Sequence, residues 1–186
     1  MSEETKTVYG PSAIATPANV ITLVRMALAP ILLIILLNDT TSYLPLVIWV
    51  ILAISDGADG YVARRQGVTR SGAFLDPLAD KILVFCALAG LVALGRVELL
   101  PVLIMGVREV VVSIYRMRVL ADGKSLPARW VGKIKMNVQI LAVGLALIPG
   151  FTTHLATVET VIIWFATALA VVSAVQYFVD SKSVRA

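Results

Sequence analysis

Residues 55–81 read SDGADGYVARRQGVTRSGAFLDPLADK and carry four aspartates, Asp56, Asp59, Asp76 and Asp80. A long apolar run flanks them on each side, roughly residues 43–63 and 77–95. Runs of this length read as membrane-spanning helices, which need about 20 mostly apolar residues. Asp56 and Asp59 stand at i, i+3, and Asp76 and Asp80 at i, i+4. At 3.6 residues per turn each pair shares one helix face. The connecting turn is short, so the two helices should be antiparallel neighbours whose acidic pairs converge near one membrane face.

Four more apolar stretches lie outward from this segment, at roughly 18–37, 99–118, 134–150 and 157–179. The expected fold is therefore an all-α integral membrane protein with six transmembrane helices. Composition supports it: hydrophobic residues make up 59% of the 186, and charged residues 15%. A soluble domain averages about 45–50% apolar and about 25% charged. Mean hydropathy is +0.89, and too few polar side chains remain to coat a water-soluble surface. One cysteine, Cys86, excludes a disulfide framework, and one histidine, His154, excludes His-rich metal chemistry. Residues 1–18 hold Glu3, Glu4 and Lys6 without an apolar core, so no cleavable signal peptide is expected.

The basic residues orient the helices. On a six-span reading, Lys6, Arg64, Arg65, Arg70, Arg116, Arg118, Lys124, Arg129, Lys133, Lys135, Lys182 and Arg185 share one side, and Arg96 stands on the other. The positive-inside rule places both termini and the charged loops in the cytoplasm. The net charge of +4 is then a topology signal and needs no nucleic acid to explain it. The expected organisation is an N-terminal interfacial segment (1–17), a six-helix domain (18–180) and a short tail (181–186), in a multi-pass protein of the cell membrane.

Ionisable groups at membrane depth are costly and mark function by default. Four carboxylates in a low-dielectric site cannot all ionise without compensation. Either some stay protonated, as in a proton relay or an ion-coupled transporter, or cations neutralise them. An all-oxygen donor set suits hard divalent ions, Mg²⁺ or Mn²⁺, and four shared carboxylates suit two of them. The plainer alternative is that these are helix-end residues; Asp76 before Pro77 could cap the third helix. Gly57, Gly60 and Gly72, with Ala58, Ala63 and Ala73, leave room for a ligand or a helix to approach. A transporter would place its charge near the midplane with broken helices in both halves, whereas these aspartates gather at one interface.

The pattern Asp56-x2-Asp59-Gly60-x2-Ala63-Arg64-x7-Gly72-x3-Asp76-x3-Asp80 resembles the signature of the CDP-alcohol phosphotransferases. These membrane enzymes transfer a phosphoryl-linked group from a CDP-alcohol to a second alcohol and release CMP. The chain has seven residues between Arg64 and Gly72, where the family usually has eight, and the difference falls in the turn. Residues 16–25, TPANVITLVR, are similar to the first helix of the phosphatidylglycerophosphate synthase branch, as are Arg108-Glu109 with Arg116 and GKIK at 132–135 with Gln139. Met136 stands where that branch would have threonine.

The resemblance implies that Asp56, Asp59 and Asp76 hold two metal ions, with Asp80 completing the site and serving as catalytic base. It implies that Asn19, Thr22, Gly60, Arg64 and Thr69 contact the CDP moiety, and that the protein is a homodimer in the membrane lipid. The donor would be CDP-diacylglycerol and the leading acceptor glycerol 3-phosphate. Phosphatidylglycerol, as in a cardiolipin synthase, and inositol phosphate are the alternatives. A phosphorylated acceptor needs cations, and Arg108, Arg116, Lys133 and Lys135 can supply them on spans four and five. Glu109, Ser113 and Arg116 fall on one helical stripe, and Lys135 and Gln139 on another. Arg25 and Lys81 are left open: the first could pair with a carboxylate or phosphate, the second with an aspartate or the interface. His154 is expected in an extracytoplasmic loop, and Cys86 as packing.

Overall fold

The computed structural model describes residues 16–39, 41–66, 72–121 and 130–183. Among them are six α-helices: α1 (Pro17–Asn38), α2 (Leu44–Gln66), α3 (Gly72–Ala93), α4 (Leu99–Ala121), α5 (Trp130–Ala146) and α6 (Phe151–Ser183). Each expected apolar stretch is one helix.

Local chemistry starts and stops these helices. Thr16 Oγ1 accepts the Asn19 backbone N–H at 3.3 Å, and Pro17 follows at the first helical position, where its missing N–H is no loss. After α1, Asp39 Oδ1 accepts the backbone N–H groups of Thr41 at 3.3 Å and Ser42 at 3.1 Å. Ser42 Oγ then accepts the Leu44 N–H at 3.2 Å and opens α2. Gly95 (φ 67) and Gly150 (φ 77) close the turns after α3 and α5 in the left-handed region that glycine adopts without strain.

Helix ends differ from the apolar runs where polar residues continue the hydrogen-bond ladder beyond the lipid-compatible segment. α3 begins at Gly72, so Asp76 and Pro77 lie inside it and Asp76 is not its N-cap. α5 starts at Trp130 and stops at Ala146, earlier at both ends than expected. α6 begins at Phe151, which places His154 on the helix rather than in a loop; Leu155 (φ −133, ψ 34) interrupts the helix just after it.

The core runs along α1 and α3, whose packing is the most extensive in the bundle, and continues onto α2 and α5. Ala29, Leu32 and Leu36 of α1 are fully buried with Ala87, Leu88 and Leu91 of α3. Small residues let the two backbones approach, as membrane helix pairs require. Cys86 packs against this core as expected. α4 packs on α6, and α6 on α5. The outward surface is apolar: Ile34, Ile51, Ile54, Val107, Val161 and Val179 are each more than half exposed. Such a surface suits lipid as its solvent. Asn19–Asn38 and Leu155–Val179 are long and apolar enough to cross a membrane. Leu44–Ser55 and Ile134–Ala146 are shorter apolar helical segments.

Candidate active site

A layer of polar side chains crosses this apolar bundle and links all six helices. Arg25 on α1 is 1% exposed, and its Nη1 donates to Asp80 Oδ1 on α3 at 2.8 Å. Arg25 Nε donates to Ser55 Oγ on α2 at 3.3 Å. Lys81, the residue after Asp80, donates to Ser113 Oγ on α4 and lies 3.9 Å from Glu109 Oε2. Glu109 Oε1 accepts Lys135 Nζ of α5 and, at 2.7 Å, Arg108 Nη1. Arg108 reaches α6, donating to Ala170 O at 2.9 Å and Ser173 Oγ at 2.8 Å. Buried charges persist when they are paired and hydrogen-bonded, and each one here has such a partner.

A cavity of about 150 Å³ opens in this layer, lined by Asp80, Lys81, Glu109, Lys135, Gln139 and the apolar Val84, Phe85 and Met136. A smaller one adjoins it at Trp49, Leu52, Ala53, Leu83 and Ile140, and the two share Asp80, Val84 and Met136. Two carboxylates, Asp80 and Glu109, and two ammonium groups, Lys81 and Lys135, thus line one pocket. That arrangement can hold an anionic group and present a hydroxyl to a proton acceptor.

The expected site residues divide. Asp80 and Lys135 meet at the cavity. Lys135 and Gln139 line the same wall, so that stripe is present; on α4, Ser113 Oγ donates to the Glu109 carbonyl at 2.6 Å, and the third member of that stripe, Arg116, has its side chain outside the described residues. Asn19 and Thr22 are 1% and 0% exposed on α1, about two turns and one turn before Arg25 respectively. The Arg108 guanidinium points to Glu109 and α6 and is not part of the cavity lining. Asp56, Asp59, Gly60 and Arg64 lie on α2, Asp76 on α3, Arg116 on α4 and Lys133 on α5. Their side chains, and Thr69 altogether, are outside the described residues. Among the described residues no three acidic or thiol ligands come together.

Three participants were not assigned roles from sequence. Arg25 resolves to the carboxylate option, through Asp80. Lys81 turns to Ser113 and Glu109 among the described residues. Glu109 is the centre of the cationic group. The available signal was an ionisable residue inside an apolar run, which by itself flags function.

Fold and cavity together define a polar pocket within an apolar helical bundle. The sequence profile of the CDP-alcohol phosphatidyltransferases matches residues 15–172, and this chain belongs to that family of transferases. A probable phosphatidylglycerophosphate synthase of Mycobacterium tuberculosis is 38% identical over 94% of this chain and 85% of its own length. A CDP-diacylglycerol–glycerol-3-phosphate 3-phosphatidyltransferase of Bacillus subtilis is 34% identical over 86% of this chain and 92% of its own. The Haemophilus influenzae protein of the same name is 31% identical over 87% of this chain and 91% of its own.

Proposed function

We propose that this protein transfers the phosphatidyl group of CDP-diacylglycerol to glycerol 3-phosphate, releasing CMP and forming phosphatidylglycerophosphate. The observation that carries this reading is the cavity in which Asp80 stands beside Lys81 and Lys135, in a chain whose relatives carry that activity in their names. The lysines suit the acceptor's phosphate, and Asp80 suits removal of the acceptor hydroxyl proton. The hydroxyl oxygen bonds to the phosphorus that carries diacylglycerol, the bond from that phosphorus to the CMP oxygen breaks, and the proton passes to Asp80.

Asp56, Asp59, Asp76 and Asp80 would hold two Mg²⁺ or Mn²⁺ ions. The fit rests on the donor chemistry and on one contact: Ser55, the neighbour of Asp56, shares the Arg25 guanidinium with Asp80. Through this contact α2, at the residue before Asp56, and the α3 carboxylate share one partner. Bound ions would neutralise the pyrophosphate, and phosphoryl transfer depends mainly on positioning and charge neutralisation. Asn19, Thr22, Gly60, Arg64 and Thr69 would hold the CDP moiety. Arg116 and Lys133 would add positive charge at the acceptor entrance, and Arg108 on α4, anchored to α6, would support it.

Six membrane spans, cytoplasmic termini and a cytoplasmic mouth complete the reading, supported by the placement of basic residues at one end of the helices. The acyl chains then remain in lipid while the soluble acceptor arrives from water. The resemblance also supports a homodimer. The test is CMP release by purified protein supplied with CDP-diacylglycerol, glycerol 3-phosphate and Mg²⁺ or Mn²⁺. Release should require both the acceptor and the ion and stop on chelation. Absence of metal-dependent release with glycerol 3-phosphate would overturn the proposal.

A further inference from the structure

Glu109 is an acidic residue at the edge of a pocket proposed to bind an anion, and that position needs an explanation. Its side chain is 11% exposed, and its two oxygens divide their partners. Oε1 takes Lys135 from α5 and Arg108 from its own helix, and Oε2 faces Lys81 from α3 at 3.9 Å. Arg108 is itself fixed to α6 through Ala170 O and Ser173 Oγ. The carboxylate is therefore immobilised from behind, and both cavity lysines converge on it from the front.

We infer that Glu109 is a positioning residue, and that it holds the Lys81 and Lys135 ammonium groups together at one wall so that they can grip a phosphate monoester. Two ammonium groups facing one small cavity repel each other, most strongly where water is scarce. A carboxylate between them offsets that repulsion and sets their directions. Three cations around one anion leave an excess of two positive charges in this group, Lys81, Arg108 and Lys135 against Glu109. That excess matches the charge of a phosphate monoester dianion. Ser113 reinforces the arrangement: it receives Lys81 and is anchored to the Glu109 carbonyl. The inference rests on the reading that this cavity takes the acceptor's phosphate.

The test is steady-state CMP release by full-length protein in detergent–lipid micelles, with glycerol 3-phosphate and CDP-diacylglycerol varied in turn. Glu109→Gln keeps the side chain's shape and an acceptor oxygen while removing its charge. The expected result is an acceptor KM raised about tenfold or more, with the donor KM within about twofold and kcat changed less than the acceptor KM. A general structural defect would not separate the two substrates in this way. An acceptor KM that is unchanged or lower, or a parallel rise for both substrates, overturns the inference. If Glu109→Gln does not fold, Ser113→Ala serves instead: it removes the hydroxyl that receives Lys81 and should raise the acceptor KM about threefold. An unchanged acceptor KM in Ser113→Ala overturns the inference equally. Lys135→Met distinguishes a failure of the phosphate site from a failure of the Glu109 role. If it leaves the acceptor KM unchanged, the phosphate-site reading itself fails. If it raises the acceptor KM while Glu109→Gln does not, the inference alone fails.

Discussion

Arg25 on α1 and Asp80 on α3 form a 2.8 Å ion pair in which the arginine is 1% exposed and the aspartate 23%. The pair ties the proposed catalytic carboxylate to a helix that contributes no acid of its own. Because Arg25 also donates to Ser55, one guanidinium fixes Asp80 relative to both α1 and α2. A planar group with several donors in fixed directions is suited to that task, and an ammonium is not.

Removing the guanidinium should therefore destabilise the bundle. Breaking a buried pair by deleting one partner costs about 3–5 kcal/mol. The partial exposure of Asp80 places Arg25→Met toward the lower end of that range. Arg25→Lys keeps the charge but cannot serve Asp80 and Ser55 with the same geometry, so it should fall between Arg25→Met and the parent. Unfolding in detergent, followed by circular dichroism, orders the three proteins. A melt of Arg25→Met that overlays the parent would show that the pair adds nothing to stability.

Asp80→Asn separates chemistry from folding. The amide oxygen can still accept from Arg25, so the bundle should form, but the buried guanidinium loses its counter-charge and the melting temperature should fall below the parent value. Turnover should fall by about 10²–10⁴, the usual contribution of a positioned proton acceptor. CMP release under saturating substrates measures it. A rate near that of the parent would remove Asp80 from the role of base.

The fold and the site are not equally legible in the sequence. All six helices are visible as apolar runs, because burying or lipid-facing side chains must be apolar whatever the tertiary arrangement. Helix ends such as Gly72–Asp76 and Trp130–Lys133 are not, because the backbone ladder continues through polar residues that hydropathy does not count. At the site, Asp80 and Lys135 stand out by type and spacing. The pairings of Arg25, Lys81 and Glu109 do not. Helical periodicity assigns a residue to a stripe on its own helix, but a partner on another helix depends on that helix's rotation and height. Lys81 adjoins Asp80 in sequence yet turns to α4, a choice that only tertiary packing makes.

Between α1 and α2, Asp39 offers a pH-dependent contribution outside the apolar segments. The Ser42 hydroxyl first, then the Ser42 and Thr41 backbone N–H groups, hold its carboxyl below the ordinary carboxylate range. A carboxylate depressed in the folded state stabilises it above the unfolded pKa, near 3.9 for aspartate. That contribution is lost as pH falls through the folded value. Asp39→Asn should therefore melt below the parent at neutral pH, and the gap should close on acidification below about pH 3.9. Thermal melts of both proteins across that interval measure the gap. A gap independent of pH would assign the effect to amide geometry instead of charge.

The last prediction concerns the α1–α3 contact that carries the Arg25–Asp80 pair. A Cβ at Gly90 would lie 2.7 Å from Leu36 Cδ2 and 3.0 Å from Leu33 Cδ1, and Leu36 is fully buried. Gly90→Ala sets two effects against each other. The added methyl must push the leucine ends aside, while alanine recovers about 1 kcal/mol of helix propensity relative to glycine. The net change should be small. Gly90→Val adds two more carbons with less of that compensation, since β-branching favours helices less than alanine does, and overpacking of this kind costs about 1–3 kcal/mol. Leu36→Val removes the atom that collides first, so it should recover part of the loss when combined with Gly90→Val, although alone it leaves a cavity and destabilises. The measurement is a double-mutant cycle of unfolding free energies for the two positions. Strictly additive costs would show that the Gly90–Leu36 approach does not limit how closely α1 and α3 pack.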